Sequence, residues 1–266
     1  GGLRTTTYFH NQVGILTETW GSPNPTTVPF LTERQIPSID LPKPVDTRMW
    51  HLKDSLQYEI QANYAILDYA SRYREKLLFS VYRAGKNSIE RGQKDYWTRY
   101  PSRIRELKAE ALTKPELRDA RAYVIPKSQE NWGAACRFAE ALLRTGVRVE
   151  QLKGDQFGYP AGSLVVRTAQ PYRPHVLDMF EPQDYPNDFR YPGGPPIAPY
   201  DNAGYTLAYQ MGVKFDRVLE DRTYSAVPIS SAKNLVDLPT TGADTVVLPA
   251  AENESFAIAN VALKAG

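Results

Sequence analysis

The chain has 266 residues, 42% hydrophobic and 23% charged, and its 32 Lys and Arg nearly balance 30 Asp and Glu for a net charge of +2. That balance excludes the basic field through which proteins hold nucleic acid or an anionic membrane surface. No window approaches the roughly 18 consecutive apolar residues that span a bilayer, and the single cysteine, Cys136, excludes a disulfide within the chain.

What remains is a folded α/β chain, long enough for one large domain or two modest ones. Residues 1–20 read as strand-like, and the apolar run Val13-Gly-Ile-Leu-Thr-Glu18 reads as a buried strand ending on a carboxylate. Such a Glu is costly unless it is paired with a cation or employed in chemistry. Gly21 to Pro44 is proline-rich loop. From Arg48 to Arg83, Leu52, Leu56, Ile60, Tyr64, Leu67, Leu78 and Val81 recur mostly at three- or four-residue steps. This predicts one long helix or two in tandem, with His51 at its start.

Gly85 to Lys114 mixes Arg and Lys with Glu and Asp around Tyr96, Trp97 and Tyr100, and reads as a charged linker followed by a short helix. A second module starts near Ala120. Ala122–Pro126 reads as a strand, Asn131–Arg144 as a helix closed by Gly146, and Val147–Leu152 as a returning strand. This βαβ unit predicts a parallel sheet. Ser163–Thr168 adds a strand, 170–209 is an irregular segment rich in Pro, Tyr and Asp, and Asp244–Pro249 followed by Ser255–Lys264 reads as strand then helix. The expected organisation is 1–84, 85–119 and 120–266.

The candidate chemistry is sparse. A zinc centre needs three ligands at defined spacing. The histidines are His10, His51 and His175, and none has Glu at the third following position; His51-Leu-Lys-Asp54 comes nearest. His51 reads as a helix-start or surface residue, and His10 and His175 as makers of structural hydrogen bonds. Glu181, Asp184, Asp188 and Asp201 could offer oxygen ligands, but their spacing matches no calcium loop. Cys136 lies mid-helix in Gly133-Ala-Ala-Cys-Arg-Phe138, with no strand-to-helix elbow to expose a nucleophile, and reads as a small core residue. No glycine-rich loop follows Ala122–Pro126, which speaks against a nucleotide-binding flavodoxin-like domain.

Longer stretches carry a family resemblance. Arg4-Thr-Thr-Thr-Tyr-Phe-His-Asn-Gln-Val-Gly-Ile-Leu-Thr-Glu18, Trp50-His-Leu52, Gly85-Lys-Asn-Ser-Ile-Glu-Arg-Gly92, Tyr123-Val-Ile-Pro-Lys127 and Arg173-Pro-His-Val-Leu-Asp-Met-Phe-Glu-Pro-Gln-Asp184 resemble the carboxyl-terminal half of bacterial zinc carboxypeptidases related to carboxypeptidase A. The resemblance spans Arg4 to about Arg217. It implies an α/β fold: the remnant of a carboxypeptidase-like mixed sheet with a long helix, then an amidotransferase-like, flavodoxin-type parallel-sheet domain without catalytic residues of its own. It also implies that Glu18 is the general base that deprotonates a zinc-bound water. The zinc ligands would lie upstream, in another part of the same protein, so this chain alone would be inactive. The substrate would be a peptide or protein and the location periplasmic or extracellular. The opening on Gly1-Gly2 and the closing strand and helix are expected of a piece of a larger protein. The competing expectation is a non-catalytic peptide- or glycan-binding or structural module.

Overall fold

The structure, a computed structural model, describes residues 3–100, 113–183, 188–198, 206–235 and 247–265. It divides into two compact units, one formed by 1–14 and 81–266 and the other by 15–80.

The larger unit is built on a five-stranded sheet: β3 (Ala122–Ile125), β4 (Val149–Leu152), β5 (Leu164–Arg167), β6 (Asp216–Val218) and β7 (Ala226–Ile229). The strand order is β6-β3-β5-β4-β7, and every neighbouring pair is antiparallel. The mixed α/β class expected from the sequence is present, but the parallel sheet is not. The reason is the connection from β4 to β5. Gln156 and Tyr159 exchange backbone hydrogen bonds across Phe157 (φ 52°) and Gly158 (φ 85°), the two positive angles of a type I′ hairpin turn. So short a connection forces antiparallel pairing, because a parallel pair needs a crossover of a dozen residues or more.

The βαβ unit itself survives in split form. Strands β3 and β4 run parallel, joined through helix α4 (Trp132–Arg144), but β5 lies between them. The return from β5 to β6 passes through α5 (Arg173–Phe180) and α6 (Leu207–Gln210) and straddles β3 in the same way. The connectivity β3-α4-β4-β5-α5-β6 is that of the double split βαβ, or ferredoxin-like, arrangement, with β7 added beside β4.

Alternation along the strands gives the sheet two apolar faces. Tyr123, Ile125, Val149, Leu164 and Val166 pack with Phe138 and Leu142 of α4 and with Val176 and Phe180 of α5. Phe180 lies parallel to the Tyr123 ring at 4.2 Å and meets Phe138 edge-on at 5.1 Å. Ala122, Val124, Leu152, Val165, Val218 and Tyr224 form a smaller cluster on the other face. Helix α1 (Leu3–Phe9) and the terminal α7 (Asn253–Ala265) complete this unit. The helix in 173–180 corrects the irregular reading of 170–209. Pro174 falls in the first turn, where a missing N–H costs nothing. Of the expected strand over 244–249, residues 244–246 lie outside the described residues and 247–249 form none.

The smaller unit carries a two-stranded pair, β1 (Thr26–Thr27) with β2 (Met49–Trp50), and helix α2 (Leu52–Arg72). Helix α3 (Arg74–Gly92) follows after a break at Tyr73, so the apolar periodicity resolves into two helices in tandem.

Candidate functional site

Glu18 does not end a strand. Residues 13–20 are extended without regular structure, no strand among the described residues pairs with them, and Glu18 is exposed. The apolar side chains that suggested burial point the other way: Val13 is 68% and Ile15 57% exposed. The segment is held instead by isolated bonds. Thr17 Oγ1 donates to Glu59 Oε2 at 2.7 Å, and the Trp20 carbonyl accepts from Ser55 Oγ, which itself accepts from Trp50 Nε1 at 2.9 Å. Glu18 is therefore a solvated carboxylate beside a segment pinned to α2, and a pairing with Lys or Arg is not among its described interactions.

The histidines are structural. His51 is the N-cap residue of α2, and its backbone N–H donates to Asp54 Oδ2 at 2.8 Å. That bond, helped by Arg48 at 3.1 Å, holds the Asp54 carboxyl below its ordinary range. His51-Leu-Lys-Asp54 is thus a helix cap and not a pair of metal ligands. In the larger unit, His10 contacts the Thr6 carbonyl at 2.6 Å and the Thr145 carbonyl at 2.9 Å, and its ring lies 4.4 Å from that of His175. The buried His175 contacts Thr145 Oγ1 at 2.9 Å. Burial, and then the neighbouring His10, push His175 down to about 4. Cys136 is buried in α4, as its mid-helix position predicts.

Two buried polar networks went unread in the sequence. Arg173 Nη2 donates to Asp119 Oδ2 at 2.6 Å, with both side chains 5% exposed, and Thr98 donates to both oxygens of the same carboxylate. Across the sheet, Tyr123 Oη donates to Glu181 Oε1 at 2.5 Å and Arg217 Nε donates to that oxygen at 2.8 Å. Burial, then the Glu181 charge, raise the Tyr123 hydroxyl well above the usual tyrosine range, so it stays a donor. Glu181 is therefore committed to an ion pair; Asp184 and Asp201 lie outside the described residues. The second left one trace in the sequence, a charge standing at an apolar position of the alternation in Phe215-Asp-Arg217-Val218.

Among the described residues, no group of three or more His, Cys, Asp or Glu side chains is placed to hold a metal ion. No helix among them is long and apolar enough to cross a membrane. No family model, curated protein or solved structure matches the chain.

Proposed function

We propose that the chain is part of a zinc-dependent metallocarboxypeptidase that hydrolyses carboxyl-terminal peptide bonds, with Glu18 as its general base. One structural observation supports this reading beside the sequence resemblance. The 15–80 unit contains no buried apolar side chain; its one buried residue is Ser55. Yet it is rich in large apolar residues that stand in the open, including Phe30 at 73%, Ile39 at 98%, Tyr64 at 65%, Leu67 at 64% and Leu78 at 70%. Burial of such side chains is the main drive for folding, at about 1.5–3 kcal/mol each. A stretch that leaves them exposed behaves as a part of a domain whose remainder covers it. In this reading the remainder is the upstream half of the same protein, periplasmic or extracellular, acting on a peptide substrate.

No zinc site is formed among the described residues, and in this reading the metal is held by the upstream half of the protein. The role left to this chain is to carry a proton acceptor, and an exposed carboxylate on a segment tied to α2 is suited to that. General acid–base catalysis contributes about 10²–10⁴-fold. In the full-length protein, Glu18→Gln is expected to lower turnover by that order while zinc content, read by elemental analysis, stays unchanged. Turnover at the wild-type rate would remove Glu18 from the mechanism. The alternative, a non-catalytic peptide- or glycan-binding module, is favoured by one feature, a polar cleft on the sheet of the larger unit, lined by Arg121, Arg167 and Tyr224.

A further inference from the structure

The carboxyl end of α1 is docked where α4 and α5 meet. The helix closes on Asn11, which takes the left-handed conformation (φ 63°), while Gln12 N donates back to the Thr7 carbonyl at 2.9 Å. Two side chains of this cap reach the rest of the unit. Asn11 Nδ2 donates to the Pro171 carbonyl at 2.9 Å. His10 meets the Thr6 carbonyl of its own helix at 2.6 Å through Nδ1, and the Thr145 carbonyl at the end of α4 at 2.9 Å through Nε2. The rings of Tyr172 and His175 face it at 4.8 and 4.4 Å. Charged groups on the elements around the ring are engaged elsewhere: Arg144 of α4 with Glu140 at 3.5 Å, Arg173 of α5 with Asp119 at 2.6 Å, Asp178 of α5 with Gln183 at 2.6 Å, and Lys86 of α3 with Glu90 at 3.7 Å.

A carbonyl oxygen only accepts, so both contacts of His10 are hydrogen bonds only when both ring nitrogens carry a proton. A neutral ring sets one lone pair against a carbonyl oxygen. Thr145 is the C-cap of α4, so its carbonyl stands at the negative end of that helix dipole, where a cation is favoured. The neighbouring protons are assigned in the same way. Thr145 Oγ1 has a single proton and lies within reach of the Ala141 carbonyl at 3.1 Å and the Leu142 carbonyl at 2.9 Å, so it accepts from His175 Nε2 at 2.9 Å. His175 is then neutral, with its proton on Nε2, in keeping with its burial beside His10. The two stacked rings share one positive charge, and it resides on His10.

We propose that α1 is a proton-operated latch: it stays docked on the α4–α5 corner while His10 carries a proton on each ring nitrogen, and loosens when the ring loses one of them. Histidine is the side chain whose charge changes between about pH 5 and 8, so the latch works in that range. Its sign is opposite to that of His175. Docking is strongest on the acid side and weakens as pH rises, because a proton that makes two bonds in the docked state is released. The bond from Asn11 to the Pro171 carbonyl contains no titrating group and persists at both ends of the range. The latch is independent of the peptidase reading, since every residue in it belongs to the larger unit.

The test is nuclear magnetic resonance on the full 266-residue chain at about pH 5.5 and about pH 8. Ring nitrogen shifts report the protonation of the histidines, and amide protection factors report the docking of residues 5–12. At the lower pH, His10 should carry two ring protons and His175 one. Between the two conditions, protection over 5–12 should fall about 2- to 30-fold, the range for a cation at a helix C-terminus, with β3 and β5 unchanged. His10→Gln keeps a donor but cannot charge. Whether or not α1 stays docked in that variant, its protection over 5–12 should no longer depend on pH. Asn11→Gly suits the left-handed backbone and removes only the side chain; it should lower protection by a similar factor at both pH values. A His10 ring with one unprotonated nitrogen at the lower pH, with 5–12 still protected, would overturn the proposal. So would equal protection of the unaltered chain at the two pH values, or a pH dependence that persists in His10→Gln.

Discussion

At the scale of single residues, the ion pair between Asp119 and Arg173 shows why a buried charge is a poor predictor of stability and a good predictor of sensitivity. Both side chains are 5% exposed, so each depends on the other for solvation. Arg173→Met strands the Asp119 carboxylate with Thr98 as its one remaining hydrogen-bond partner among the described residues, and should lower the free energy of unfolding by about 3–5 kcal/mol in a urea titration. The double variant Asp119→Leu with Arg173→Met should recover much of that loss; failure to recover would show that the pair does more than neutralise itself. His175 gives a pH dependence of definite sign. Its value falls from 6.5 to about 4 on folding because the buried ring resists charging and faces His10. Between those values the unfolded chain binds more protons than the folded one. The contribution is therefore complete above about 6.5 and is lost as pH falls towards 4. Allowing for screening by solvent, the loss is about 2 kcal/mol, and it should be absent from a His175→Gln variant compared over the same range. Neither network was legible beforehand, since Arg173, Asp119 and Glu181 read as ordinary charges until the fold shows which of them lack water.

At the scale of elements, helix α4 was the most legible part of the chain and also carries the least expected contact. Its apolar face, its Asn131 cap and its terminal Gly146 (φ 83°) all follow from local rules. Asn131 Oδ1 accepts from Ala134 N at 3.1 Å as a capping side chain should. The remaining first-turn donors turn to a distant residue. Glu252 accepts from Trp132 N at 2.8 Å through one oxygen and from Gly133 N at 3.0 Å through the other. A carboxylate there meets the positive end of the helix dipole as well as two orphan N–H groups. Glu252→Ala should cost about 1–2 kcal/mol and loosen the segment leading into α7. Faster hydrogen exchange at 247–265 with no change in β3 and β5 would confirm that coupling. An unchanged exchange rate would mean that α7 is held by other contacts, such as Arg137 with Glu254 at 2.5 Å. The strands β3, β4 and β5 were each placed within two residues by alternation and chain punctuation. The hairpin between β4 and β5 was missed because its turn uses Phe at a position where Asn, Asp or Gly is usual, and that one omission turned an antiparallel sheet into an expected parallel one.

At the scale of the whole molecule, the two units differ in how they are stabilised, and that difference is testable. The larger unit buries Tyr123, Ile125, Phe138, Leu142, Leu164 and Phe180 at 1% exposure or less. The 15–80 unit has helical periodicity but nothing for it to pack against within itself: Leu56, Ile60, Tyr64 and Leu67 share the helical repeat of α2 and are all at least 50% exposed. The repeat was readable in the sequence, whereas the absence of a covering surface was not, because amphipathicity states which face wants burial and not whether a partner supplies it. Most helical stability in proteins comes from packing of the amphipathic face and not from propensity, so α2, whose apolar face is exposed, should open at low cost. Hydrogen exchange followed by mass spectrometry on the 266-residue chain is expected to show the amides of β3 and β5 protected up to the global free energy of unfolding. Those of 52–72 should exchange orders of magnitude faster. In the full-length protein, the proposed upstream half would cover the apolar face of α2, and the same amides should become as slow as the sheet. Protection of 52–72 in the isolated chain equal to that of β3 would show that the unit is complete as it stands. The support that its bare apolar surface lends to a larger catalytic domain would then fall.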